Sequence, residues 1–462
     1  MQYWQNKTQP QDKELTSRFS IEFDILLAQQ MEYLVKSPYL MKLNRDRFSD
    51  LLIFLFVLFL PTQFGKHFFL PFSHISGVRV DYLAPTVYVT DIFALLLILT
   101  HLAEYRTMLR NKTIQVILFL LSLTLIFAFS RDFGLYKFLK VIELFAVGAI
   151  FMSRRVNKDT VFYGFFCAAL IQCFIAVLQF VLRRSLGGEF YYLGERPLGL
   201  SMPGIAKAAL DGVEMLRPYG TFSHPNSMAG FFLTLYATYI FNRPMVNRLF
   251  LWSFLILCAV LTIISFSKIA IGTFFFITLA YLLRHKQLGG NAQLRAVVVI
   301  SVGFLCAIFF QASTDPLTIS KRITLVYDAT AIIAADAITG VGLGNYLYAQ
   351  AQFPQMYPSF IMQPVHNIIL LVFAEVGVLI GMYLIYVLTN NLRPLLKTTW
   401  IIPYVAILIT GMFDHYWLTL QQNWLLLGVM WGLTMSRQVF RHSPDSAAAI
   451  RGIRRGRRRG RI

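Results

Sequence analysis

Apolar runs separated by short polar turns fill the chain from residue 49 to residue 437. They fall at 49–62, 83–104, 113–130, 134–152, 160–182, 225–241, 247–265, 268–284, 295–312, 366–389, 399–414 and 417–436. A helix needs ~20 apolar residues to cross a bilayer, and most of these runs approach that length. The first is short, so it either extends through GKHFFL or lies tilted. The pattern predicts an all-α polytopic membrane protein of about 12 transmembrane helices in residues 49–437. Residues 1–48 are polar and of mixed charge, with a partly amphipathic stretch, IEFDILLAQQMEYLV. That stretch predicts a cytoplasmic arm with a helix lying on the membrane surface. No early apolar segment of the signal-peptide kind is visible. Residues 438–462 form an Arg-, Gly- and Ser-rich tail, expected to be disordered.

The turns orient the helices. EYRTMLRNK, SRRVNKD, NRPMVNR, RHKQLGGNAQLR and NNLRPLLK each carry at least two Lys or Arg. With both termini cytoplasmic, all of them fall inside, as does the basic tail. Composition agrees: of 462 residues 56% are hydrophobic and only 14% charged, against about 25% charged in soluble domains. The net charge of +19 then reads as topology control and contact with anionic lipid, not as nucleic-acid binding. Cys167, Cys173, Cys258 and Cys306 all sit in apolar runs and read as small buried residues. No internal repeat is found, which weighs against a transporter built from two related halves.

Two loops on the opposite, extracytoplasmic side are long: 183–223 and 313–365. Loops beyond ~15 residues are usually functional or disordered. The first ends in RPYGTFSHPN, which opens the helix at 225. Gly220 permits a tight turn, and Pro225 suits the first helical turn. Arg217 is thereby held at a helix mouth, as an interfacial anchor or as an anion ligand. In SFSKIAIG, at 265–272, two helices meet with almost no loop, and Lys268 is the cation there. Arg322 adds another at the start of a loop helix expected over 321–337. Three cations on one side suit a diphosphate, arginine bidentately and lysine as a point charge. GVGLGN, at 340–345, lacks the setting of a nucleotide loop and reads as a tight turn. His366 opens the tenth helix as a cap or as a proton acceptor, with Asn367 beside it. Glu375 lies nine positions on, too far round to orient the imidazole and better placed to hold the bundle. Asp81, Asp91, Asp132 and Asp414 show no metal-ligand spacing, and no metal or other cofactor is expected.

RPYGTFSHPNSMAGFF, SFSKIAIG, KRITLVYDA with GVGLGNY, and HNIILLVFAEVGVLIG occur in that order. With them the chain resembles the O-antigen ligase and O-antigen polymerase family of bacterial membrane glycosyltransferases, over roughly residues 50–437. The resemblance implies a GT-C-like helical fold in the cytoplasmic membrane with an extracytoplasmic active site. It implies transfer of a glycan from a polyprenyl (undecaprenyl) diphosphate carrier to a hydroxyl of a glycan, lipid or protein, without metal or nucleotide. By motif, Arg217 matches the family's arginine and His366 its histidine before Asn. Lys268 stands where the family usually has arginine, so charge is kept and the bidentate fork is lost.

The reaction so implied is an inverting displacement at the sugar C1. Cations stabilise the leaving diphosphate, and His366 takes the acceptor proton, with His224 as the nearest rival and Asn226 in support. Tyr191, Tyr192, Tyr346, Tyr348 and Tyr357 are candidates for stacking on sugar faces. Ligase and polymerase differ only in the acceptor. A lipid-linked oligosaccharide flippase is the alternative from another class.

Overall fold

The computed structural model describes residues 38–210, 212–284, 292–312, 317–353 and 362–441. The chain divides into two compact units, Met1–Leu52 and Ile53–Ile462. In the first, the described part is the beginning of helix α1 (Pro38–Phe59), which runs on into the second. Most of the 1–48 arm and the 438–462 tail lie outside the described residues. The fold is mostly helical, 70% of it in helix, with few strands.

The helices of the second unit fall where the apolar runs predict them, with shifted ends. They include α2 (Val89–Thr100), α3 (Leu102–Leu109), α4 (Lys112–Thr124), α5 (Arg131–Met152) and α6 (Lys158–Leu182). Then come α7 (Pro225–Phe241), α8 (Arg248–Ile264), α9 (Lys268–Arg284), α10 (Ala292–Gln311) and α11 (Leu317–Ala335). The short α12 (Tyr346–Gln350) precedes α13 (Ile368–Leu392), α14 (Ile401–Gly411), α15 (Tyr416–Thr419) and α16 (Gln421–Arg441). Among the described residues, two helices are long and apolar enough to cross a membrane: Lys158–Leu182 and Ile368–Lys397. The bent pair α2 and α3, turned by 90°, makes a third if it is one span. The run at 83–104 is therefore not one straight helix. It starts at the end of a 3-10 turn (Asp81–Leu83), passes through a short strand (Thr86–Tyr88), and its helix breaks at His101.

Helix α7 is the centre of the packing. Nearly every residue from Pro225 to Ile240 is buried, as a helix apolar on all sides requires. The most extensive helix–helix contact joins α5 to α16. A Cβ on Gly432 would lie 2.3 Å from the Gly148 carbonyl, and one on Gly148 would strike Trp431. These small residues let the two backbones approach.

The turn GVGLGN docks into a break in α13. Gly377 has φ +78, outside the helical region. The break frees carbonyls that the turn then uses: Val341 N donates to Ala374 O at 3.0 Å and Gly342 N to Glu375 O at 2.9 Å. In return Val378 N donates to Ala337 O at 2.8 Å. The Glu375 carboxylate accepts from the backbone N–H groups of Gly344 and Tyr346. Glu375 therefore fastens this loop to α13. The backbone this turn approaches is the chain's own.

Candidate functional site

The stretch 217–226 is held by buried amides of α6. Gln179 Oε1 accepts from Tyr219 N and Gly220 N, both at 2.9 Å, and its Nε2 donates to Gly220 O at 3.0 Å. Gln172 lies seven residues earlier, two turns along the same face. Its Oε1 accepts from Thr221 N at 2.9 Å, and its Nε2 donates to Thr221 Oγ1 at 2.7 Å. Gly220 has φ +57, the tight turn expected of it. His224 caps α7, its Nδ1 accepting from Asn226 N at 3.1 Å, with Pro225 in the first turn.

So fixed, Arg217 enters the bundle and is only 8% exposed. Its Nε donates to Ser265 O at 2.8 Å, and its Nη2 donates to Asn226 Oδ1. A guanidinium has five N–H donors, and these two bonds use two of them. Burial lowers its pKa to about 10, still well inside the charged range. Asn226 passes the contact on, its Nδ2 donating to Asp414 Oδ2 at 2.7 Å.

Asp414 lies in the turn between α14 and α15, and three histidines surround it. His415 N donates to Asp414 Oδ1 at 2.8 Å. The rings of His366 and His415 meet edge-on with centroids 5.0 Å apart. Side-chain atoms of His366, Asp414 and His415 lie within 4.8 Å of one another. Burial alone raises a carboxyl, but His366, His415, His224 and the Asn226 amide together hold Asp414 below the ordinary carboxylate value. It is therefore the anion of the site. Burial drives His224 and His415 down to about 3, with neighbouring positive charge adding to the effect. His415 Nδ1 meets Thr419 Oγ1 at 2.7 Å, whereas His366 Nδ1 is buried without a hydrogen-bond partner.

The donor set of two histidines and one carboxylate also has the composition of a cation site. The field around it opposes one. Arg322 depresses His224, His366, His415 and Arg217 alike. Two guanidiniums act on this cluster against the single Asp414 carboxylate, so its surroundings carry net positive charge.

Of the residues singled out from sequence, the structure brings together Arg217, Asn226, His224 and His366, with Arg322 near enough for its charge to act on Arg217 and both histidines. Asn367 acts at one remove: its Oδ1 caps α13 through Ile369 N and Leu370 N, and its Nδ2 donates to Met412 O at 3.3 Å. Lys268 is different. Ser265, three residues earlier, meets Arg217 through its carbonyl, while the Lys268 ammonium lies 5.7 Å from the centre of the Phe310 ring. Tyr346 is 1% exposed and packed in the core, which leaves no face for a sugar. Tyr348 is half-buried, its hydroxyl donating to Phe72 O. Tyr191 and Tyr192 are open, at 55% and 63% exposure. Tyr357 lies outside the described residues.

Asp414 and His415 are the members that the sequence passes over. Asp414 has no partner at ligand spacing along the chain, and His415 no motif around it. Their signal is an adjacent acid and histidine in GMFDHYW, between two apolar runs. No known protein-family model matches the chain, and no curated protein matches it.

Proposed function

We propose that the chain is a multi-pass glycosyltransferase of the bacterial cytoplasmic membrane, similar to the O-antigen ligases. It spans the bilayer about twelve times in a GT-C-like arrangement, with both termini cytoplasmic and the pocket extracytoplasmic. It takes a glycan from a polyprenyl diphosphate and passes it to an acceptor hydroxyl on a glycan, a lipid or a protein. A polymerase uses the same chemistry with a different acceptor. One observation carries this reading: a buried arginine and a histidine whose Nδ1 has no hydrogen-bond partner, from distant segments, meet around one carboxylate.

In the reaction, the acceptor oxygen attacks the sugar C1 from the face opposite the diphosphate. The C1–O bond to the diphosphate breaks, and its electron pair leaves with the lipid. Arg217 and Arg322 stabilise the charge that gathers there. His366 takes the acceptor proton, and Asp414 stabilises the imidazolium that results. Asn226 links the two halves, bonded to Arg217 on one side and to Asp414 on the other. In this scheme the arginines supply the positive charge.

The test uses purified protein in liposomes with a lipid-linked glycan, an acceptor and EDTA. A transferase consumes the donor and releases polyprenyl diphosphate. Intact donor appearing across the bilayer, with none consumed, overturns the reading in favour of a flippase. The topology is tested with an impermeant maleimide on Tyr192→Cys and Met245→Cys, both at exposed positions. Labelling of position 192 in intact cells, and of 245 only after permeabilisation, is expected. The reverse pattern contradicts the orientation.

A further inference from the structure

Lys268 keeps the charge of the family's arginine but not its fork, and its ammonium lies by Phe310. A further arginine, beside the site, is fixed in place by the loop that carries it. Glu195 is 3% exposed and ties this loop down. Its Oε1 accepts from Gln179 Nε2 and Leu186 N, and its Oε2 from Gly187 N, all at 2.8 Å. Gln63 Nε2 donates to Gly194 O at 3.1 Å, and Thr62 Oγ1 donates to Leu193 O. The next residue is Arg196. Beyond it Leu198 exchanges hydrogen bonds with Ser185, so both flanks of Arg196 are anchored, and its side chain is exposed.

Three contacts locate the guanidinium. Nη1 lies 3.5 Å from Ser223 O, one residue before His224. The guanidinium carbon is 5.9 Å from the centre of the Tyr219 ring, which itself stands 6.1 Å from the His224 ring. Arg196 and Asp414 both act on the Tyr82 hydroxyl, and the Tyr82 ring stands edge-on to His415 at 5.6 Å. Among the described residues, no carboxylate pairs with Arg196. The rim thus adds a third guanidinium to a pocket whose anion is Asp414.

We infer that Arg196 is a diphosphate-binding residue at the mouth of the pocket, supplying the bidentate grip that Lys268 does not. This rests on the transferase reading above. Arg217, deeper in, and Arg196, at the rim, would bracket the two phosphates of a polyprenyl diphosphate. A planar guanidinium spans two phosphate oxygens where an ammonium meets one. The Ser223 contact is long enough to yield to a ligand without cost to the fold.

The test is binding of farnesyl diphosphate and of farnesyl monophosphate to the full chain in detergent. The wild type is expected to prefer the diphosphate. Arg196→Gln should weaken diphosphate binding about 10-fold or more, as loss of a charge-assisted hydrogen bond implies, and should weaken monophosphate binding less. Arg196→Lys should recover part of the loss. Added salt should weaken the wild type more than Arg196→Gln, because one screened contact is gone. A wild type that binds the diphosphate, beside an Arg196→Gln that binds it equally well, overturns this inference alone. A wild type with no affinity for the diphosphate overturns the transferase reading and this inference with it.

Discussion

Arg217→Ala is expected to abolish glycan transfer while the protein still inserts in the membrane. Removing one preorganised donor from a developing anion costs about 10²–10³-fold in rate. Arg217 is the most buried cation of the pocket, and burial strengthens its field. The loss should therefore be at the upper end or beyond it. The fold must be checked alongside, because the variant leaves Ser265 O and Asn226 Oδ1 without their donor. Gel filtration and the melting temperature serve for that. Arg217→Lys keeps the charge without the fork and should fall between wild type and alanine. Lys268→Arg should retain substantial activity. An Arg217→Ala protein that transfers glycan at the wild-type rate removes this arginine from the mechanism.

The second large effect is expected at His366. Burial lowers its pKa from 6.5, Arg322 adds to the lowering, and Asp414 opposes it. The folded imidazole is therefore neutral, and competent as a base, from neutral pH upward. It loses that competence as pH falls through a value below 6.5. The other groups facing it are His415 and His224, both lowered to about 3, and Arg217, which stays charged. None of these titrates between pH 5.5 and 8.5. The wild-type rate should be level from about pH 7 to 8.5 and fall on the acid side. His366→Ala should lose about 10²–10⁴-fold in turnover, together with the acid limb, while still binding donor. His224→Ala should keep most of its rate. A His366→Ala protein that keeps its rate and pH profile rules the role out. An inactive His224→Ala beside an active His366→Ala moves the base to the other motif.

The helices were legible because each apolar run is long enough to fold as a helix, although among the described residues only two, or three with the bent pair, are long and apolar enough to cross a membrane. Their interruptions were less so. The bend at His101 and the break at Gly377 lie inside apolar sequence, and tertiary contacts decide them. At Gly377 it is the docking of residues 337–342 that takes up the freed backbone groups. Arg217 and His366 could be found from sequence because each stands in a local motif at a helix mouth. Asp414 and His415 could not, because what makes them part of the site is proximity to residues far away in the chain. Gln172 and Gln179 were readable in principle: two amides seven apart in an apolar helix share a face, and something polar must meet them.

The most direct measurement of the central claim is an experimental structure of the protein with undecaprenyl diphosphate bound. The account predicts the two phosphates within hydrogen-bond distance of the Arg217 guanidinium, with the end that carries the sugar turned toward His366. A lipid diphosphate seated elsewhere on the protein, with Arg217 still bonded only to Ser265 and Asn226, would contradict it.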